Sequence, residues 1–136
     1  MESITTQNDK YLLDTHTLLW WLVNDSRLSN KAFEIIKKPD NVILVSSASA
    51  WEISTKYRLG KLPNASKAAT DLPKLLTKSR MEVLPISIEH AMLAGSLPGP
   101  HRDPFDRMLI AQGQVENLPI ITADPAFKQY QVRLIW

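Results

Sequence analysis

Short apolar runs of strand length alternate along this chain with longer stretches of helical period, the pattern of βα units feeding a parallel sheet. Lys10 to Asp14 reads as the first strand, and Thr15 to about Val23 as a largely apolar helix. Asn24-Asp25-Ser26 breaks that helix, and Ser29 caps a second one over Asn30 to Lys38. Val42 to Val45 is the aliphatic, β-branched run of a buried strand, ending in Ser46-Ser47. A helix carrying Glu52 starts at once and stops at Gly60; Ala50, Ile53 and Tyr57 fall on one of its faces. Ala65 to Arg80 has Leu72, Leu75 and Leu76 at helical spacing despite Pro73, which predicts a helix or a helix pair outside the sheet.

Glu82 to Ile86 predicts a strand, and Ser87 caps a short helix running through Gly95. Pro98-Gly99-Pro100 forces a loop. Asp103-Pro104 reads as an N-cap with proline at the first helical position, opening a helix to about Val115. Pro119 to Thr122 and Val132 to Ile135 complete the strands. The expected fold is therefore α/β: a central, mostly parallel β-sheet flanked by α-helices.

Composition adds bounds. A chain of 136 residues that is 44% hydrophobic and 22% charged fits one globular domain, over residues 10–136, behind a short polar leader at 1–9. The absence of cysteine excludes a disulfide framework and a zinc–thiolate site. The most apolar stretch, Leu18 to Val23, is far shorter than the roughly 20 residues of a bilayer span. The polar start lacks the basic and apolar regions of a secretory signal, so the expected location is the cytoplasm, with no membrane partner. A net charge of +2 does not by itself single out a nucleic-acid binder.

Acids standing where apolar runs end carry the chemistry. Asp14 follows Leu12-Leu13, Asp124 follows Ile121-Thr122-Ala123, and Glu52 lies on the helix after the second strand. Asp103 and Asp106 stand three apart at a helix start. In an open parallel sheet such acids converge on one edge. An all-oxygen donor set selects Mg²⁺ or Mn²⁺, ions suited to phosphodiester hydrolysis. Each acid also has a plainer role. Asp14 caps the helix at Thr15, Glu52 complements a helix dipole, Asp103 and Asp106 form a capping pair, and Asp124-Pro125 starts a turn.

The arrangement as a whole resembles the PIN domains, specifically the VapC-like toxins of type II toxin–antitoxin systems. The resemblance runs from Tyr11 to Trp136. It rests on Leu12-Leu13-Asp14-Thr15-His16, on Ser46 to Glu52 with Ile53, on His101-Arg102-Asp103-Pro104-Phe105-Asp106-Arg107 continuing to Gln112, and on Thr122-Ala123-Asp124 with Phe127. Gly113 departs from the pattern by standing where alanine is usual. The resemblance implies a Mg²⁺- or Mn²⁺-dependent endoribonuclease toxin, a homodimer, silenced by a cognate antitoxin. It implies Asp14, Glu52, Asp106 and Asp124 as the catalytic acids, with Asp14, Asp106, Glu52 and Asp103 as candidate metal ligands. Ser46, Ser47, Arg102, Arg107 and Thr122 are the candidate substrate-binding residues, and Lys56, Arg58 and Lys61 further contacts for flanking phosphates. Trp20, Trp21 and Trp51 offer either base stacking or apolar packing. The apolar Trp20-Trp21 helix and the end at Leu134-Ile135-Trp136 are the expected dimer surfaces.

Two other readings compete. A phosphoacceptor receiver-like signalling module requires an acid pair after the first strand and a lysine after a late one; here Thr15-His16 follows Asp14, and Asp124 follows the late strand. A catalytically silent PIN domain that only binds RNA or protein would have no need for all four acids.

Overall fold

The computed structural model describes residues 9–136; the leader expected at 1–9 lies outside them except for Asp9. Five strands form one wholly parallel sheet in the order β3-β2-β1-β4-β5. They are β1 Lys10–Leu13, β2 Val42–Ser46, β3 Glu82–Leu84, β4 Ile120–Ile121 and β5 Leu134–Ile135. The helices are α1 Thr15–Leu22, α2 Asn30–Lys37, α3 Ser47–Arg58, α4 Ser66–Lys78, α5 Ile88–Ser96 and α6 Pro104–Glu116.

Both sheet faces are covered, which is why the strands read as continuous apolar runs. Successive residues of a strand point to opposite faces. Leu13, Ile43, Val45 and Ile121 accordingly enter one core with residues of α1, α2, α3 and α4, including Leu18, Ile36, Ile53 and Leu72. Leu12 and Ile120 enter the other with Leu109, Ile110, Ala94 and Phe127. Trp21 packs on Phe33 and donates to Ser79 Oγ at 3.2 Å, while Trp20 meets Trp136 edge-on at 5.7 Å. These tryptophans are thus largely committed to packing. The exposed large apolar side chains include Trp51, Ile86, Ile88 and Met92 instead.

Several boundaries depart from expectation for identifiable reasons. β3 stops at Leu84 because Pro85 has no N–H to donate. The last two strands are two residues each, shorter than their apolar runs, since β5 lies at the sheet edge and pairs only with β4. α4 is a helix pair merged across Asp71, whose φ of −122° and ψ of 22° are not helical, two residues before Pro73. The buried face of α3 is Ala48, Ser49, Glu52 and Ile53; Ala50 and Tyr57 are exposed. Gly113 has a packing reason. A Cβ there would meet Val132 Cγ2 at 2.9 Å, Ile120 Cδ1 at 3.1 Å and the Leu118 carbonyl at 3.2 Å, so glycine lets α6 lie close to β4 and the chain leading into β5.

The strand order reverses direction about β1, which has β2 on one side and β4 on the other. In such sheets the crevice beyond the carboxyl ends of the strands at this switch point is where ligands bind. Asp14 leaves β1, Ser46 ends β2 and Thr122 leaves β4 at this edge.

Candidate active site

Asp14 occupies the N-cap position of α1, yet its side chain makes no cap hydrogen bond. Its backbone N–H is held by the Ile121 carbonyl at 3.1 Å, and its Oδ2 accepts from Thr122 Oγ1 at 2.7 Å. Thr122 Oγ1 in turn accepts the Asp124 N–H at 3.0 Å. The end of β4 therefore fixes the Asp14 backbone through a carbonyl and its carboxylate through one hydroxyl. Thr15 Oγ1 donates to Ser49 Oγ at 2.9 Å, tying the start of α1 to the first turn of α3. One turn on from Ser49, Glu52 is buried against the sheet edge.

The third acidic block is built by capping. Asp103 Oδ1 accepts from the Phe105 and Asp106 N–H groups at 2.9 and 3.1 Å, so Asp103 is the N-cap of α6. Asp106, the candidate ligand preferred over Asp103, makes no capping bond of its own and is buried, with Oδ2 2.9 Å from His101 Nε2. The edge-to-face contact of Trp51 with Phe105, centroids 4.8 Å apart, holds α3 against the start of α6.

The electrostatics show which acids share a neighbourhood. Burial raises the Asp14 pKa, opposed by the Thr122 hydrogen bond and the charge of His16, and the charge of Glu52 adds to the rise. Burial likewise pushes Asp106 to about 7, against the His101 hydrogen bond, with repulsion from Asp103, Asp14 and Glu52 adding to it. Asp14, Glu52, Asp106 and Asp103 thus form one interacting cluster. Asp124 is attached to it through Thr122, while its own Oδ1 caps a 3-10 turn over Pro125–Gln129 by accepting from Ala126 N at 2.9 Å.

The cluster is under-compensated in a way a cation would relieve. Glu52 Oε1 is buried and has no partner, while Oε2 accepts from Lys56 Nζ. Asp14, Asp106 and Asp103 likewise each tie an oxygen to a protein donor. Among the described residues no three carboxylate or imidazole groups are gathered tightly enough to share one ion in this conformation. The oxygen donors, the orphaned Oε1 and the raised carboxylate pKa values nevertheless fit a hard divalent ion.

The other residues divide clearly. Ser46 is fully buried, and its Oγ caps α3 by accepting from Ala48 N at 2.9 Å; Ser47 is half-buried beside it. Arg102 is exposed. Arg107 is not free for a phosphate: Nε, Nη1 and Nη2 donate to the carbonyls of Ala94, His101 and Leu97 at 2.9, 3.1 and 2.5 Å. A guanidinium fork matches those convergent carbonyls, so Arg107 clamps the loop between α5 and α6. Lys56 turns from the expected phosphate contact into the partner of Glu52, for which the i,i+4 spacing was the available sequence signal. His101 and His16 had no such signal, since loop closure and the β1–α1 junction bring them to the acids.

Residues 11–132 match the model of the PIN domain family. A stretch of 65 residues is 42% identical to ribonuclease VapC16 of Mycobacterium tuberculosis; it covers 48% of this chain and 45% of that protein, so the match spans about half the length of the curated relative. The fold is similar to the crystal structure of VapBC2 from Rickettsia felis bound to a promoter DNA fragment, with a TM-score of 0.67, 20% identity, and coverage of 93% of this chain and 97% of that one. A toxin–antitoxin complex from Klebsiella pneumoniae gives a TM-score of 0.63 at 18% identity, covering 93% and 96%. With an acid at the switch point, two more converging from α3 and α6, and the family pattern extending over nearly the whole length, this chain belongs to the PIN-domain family and is related to the VapC toxins of type II toxin–antitoxin systems.

Proposed function

We propose that the chain is an endoribonuclease toxin that hydrolyses RNA phosphodiester bonds at this acidic centre with Mg²⁺ or Mn²⁺ and is silenced by a cognate antitoxin in the cytoplasm. The observation that supports this best is that Asp14, Glu52 and Asp106 lie near enough to one another for their charges to interact, with Glu52 Oε1 buried and without a partner. Asp14 and Asp106 would hold the ion, with Asp103 and Glu52 completing the oxygen set. The bound ion supplies Lewis acidity to a water and to the scissile phosphate, and charge to stabilise the leaving oxygen. Glu52 orients the attacking water or accepts its proton. Thr122 and His101 keep Asp14 and Asp106 in place, and the Asp124 backbone N–H orients the Thr122 hydroxyl. Arg102 and Lys61, both exposed, are available to flanking phosphates.

Partner surfaces fit the same reading. A groove of about 510 Å³ lined by His16, Leu19, Trp20, Leu62 and Ala68 opens beside the site, with Lys61 and Lys67 on its rim; it suits an antitoxin segment of apolar and acidic character. The exposed Trp51, Ile86, Ile88 and Met92 supply apolar surface for a homodimer. PIN-family membership sets aside the receiver-like alternative. Among the described residues no helix is long and apolar enough to cross a membrane.

The test is cleavage of pooled total RNA by antitoxin-free protein, with Mg²⁺ or Mn²⁺ present or chelated, beside Asp14→Asn. Cleavage that requires the ion and vanishes in the variant is the expected result. Intact RNA in every condition, with folded protein that still binds RNA, would support the silent-domain alternative instead.

A further inference from the structure

We propose, on the nuclease reading above, that a basic pocket at the edge of the sheet opposite the acidic centre holds the phosphodiester backbone of the RNA at a distance from the bond that is cut.

α2 leads into β2 and α4 into β3, and these two strands pair side by side. The segments entering them therefore meet at the amino-terminal edge of the parallel sheet, the opposite edge from Asp14, Ser46 and Thr122. A pocket of about 200 Å³ opens there, with Lys37, Lys38, Lys78 and Arg80 in its walls beside Trp21 and Asn41. All four cations are exposed, and no carboxylate among the described residues lines the pocket; Asp40 and Glu82, close by in sequence, stand outside it. Lys37 has a loose partner in Glu34 at 3.8 Å, both side chains being more than half exposed, and the other three have no ion pair among the described residues. Without these four cations the chain, at +2, would carry a net negative charge.

Helix dipoles account for Lys37 and Lys78, which stand in the last turns of α2 and α4. They do not account for Arg80. α1, α3, α4 and α6 all end in the same Schellman turn, with paired bonds such as Met81 N–H to the Leu76 carbonyl at 2.9 Å and Arg80 N–H to the Thr77 carbonyl at 3.0 Å. In three of the four the left-handed residue is Asn24, Gly60 or Asn117, types that tolerate that backbone. In the fourth it is Arg80, at a φ of 60°. Arginine brings the turn only the steric cost of its Cβ, and among the described residues its guanidinium has no ion pair or hydrogen bond. An anion from outside the chain supplies the missing partner, and a guanidinium fork matches phosphate oxygens.

Several separate cations around one pocket suit a polyanion, whose neighbouring phosphates each take a charge. The pocket is also connected to the site. α4 starts beside the groove next to the acidic centre, where Lys67 stands on the rim, and its 13 residues carry it about 20 Å to Lys78. Lys74, exposed one turn before Lys78, extends the basic surface back along the helix; Asp71, at the break in α4, is the exposed acid on this path.

The experiment measures binding of a short labelled single-stranded RNA to the full chain by fluorescence anisotropy, in chelator and over a range of salt concentrations. The proteins are native, Arg80→Gly, the triple variant Lys38→Gln, Lys78→Gln, Arg80→Gly, and Arg133→Gln as a control for charge at the β5 end of the sheet. The triple variant should bind more weakly, with a slope of log affinity against log salt shallower by about 2, from three lost contacts at about 0.7 each. Arg133→Gln should keep the native slope. Arg80→Gly should bind RNA more weakly and yet melt at a higher temperature, since glycine relieves the left-handed backbone. A native slope in the folded triple variant, or no RNA bound by the native protein, would overturn the proposal. A lower melting temperature for Arg80→Gly would also overturn it, by showing that the arginine serves the fold. Polyglutamate displacing the RNA as well as unlabelled RNA does would assign the pocket to an acidic protein segment instead. Cleavage of pooled RNA with Mg²⁺ is read separately, so its failure falls on the nuclease reading alone.

Discussion

The Thr122 hydroxyl, just beyond β4, holds the Asp14 carboxylate while the Ile121 carbonyl holds its backbone N–H, and Thr122→Val removes the first of these bonds at nearly constant volume. The bond is 2.7 Å long between two buried groups, and the same oxygen accepts the Asp124 N–H at 3.0 Å. A hydrogen bond to an ionised group contributes about 1.5–3 kcal/mol, and a neutral one about 1 kcal/mol. Their combined loss should destabilise the metal-free protein by about 3 kcal/mol where Asp14 is ionised. At roughly 3–4 °C per kcal/mol for a chain of this size, the melting temperature falls by about 10 °C. The penalty also depends on pH. Thr122 opposes the rise that burial imposes on the Asp14 pKa, so without it the pKa climbs further. The variant then takes up its proton before the native protein does as pH falls, and the difference narrows in acid. Urea denaturation of both chains at a mildly alkaline and a mildly acidic pH measures this. A difference below about 0.5 kcal/mol, or one that does not shrink in acid, would refute the role given to this hydroxyl.

Three further outcomes can be measured. Asp106 is raised to about 7 and Asp14 is also raised, whereas both ionise near 3.8 when unfolded, so the folded state holds more protons across that interval. Metal-free stability should therefore fall as pH rises from about 4 to about 7 and level off above. Mg²⁺ at about 100 times its dissociation constant should restore about 2.7 kcal/mol at alkaline pH and little in acid, as read by thermal melts; metal-free melting temperatures that rise with pH across this interval would contradict it. Gly113→Ala should lower stability by about 1 kcal/mol in chemical denaturation, because an overpacking cost of about 1–3 kcal/mol outweighs the roughly 1 kcal/mol helix gain. A stabilised variant would show that Val132 and Ile120 yield easily to the added Cβ at 2.9 and 3.1 Å.

Much of this site is local chemistry and was therefore legible. Ser29, Ser87 and Asp103 cap the helices their sequences announce, since an N-cap bond spans only two or three residues, whereas Ser46, expected to offer its hydroxyl to substrate, caps α3. The place of Asp14 at the switch-point edge was readable because an acid directly after a buried parallel strand has few other places to be. Arg107 was misjudged from the same kind of proximity. Its position beside Asp106 suggested a phosphate, but its side chain leaves the site to collect three carbonyls from α5 and the following loop.

The sequence by itself determined the period of each element, the caps, the alternation of apolar residues onto two covered faces, and the identity of the acids, because all of these depend on neighbours a few residues away. The order β3-β2-β1-β4-β5, the meeting of Asp14 with Thr122 across 108 positions, the closure of His101 onto Asp106 and the clasp of Arg107 were decided only by the tertiary structure. Those contacts depend on which strands pair and how closely α6 lies on the sheet. Long-range pairing is set by packing the whole core at once, and no local stretch of this chain contains it.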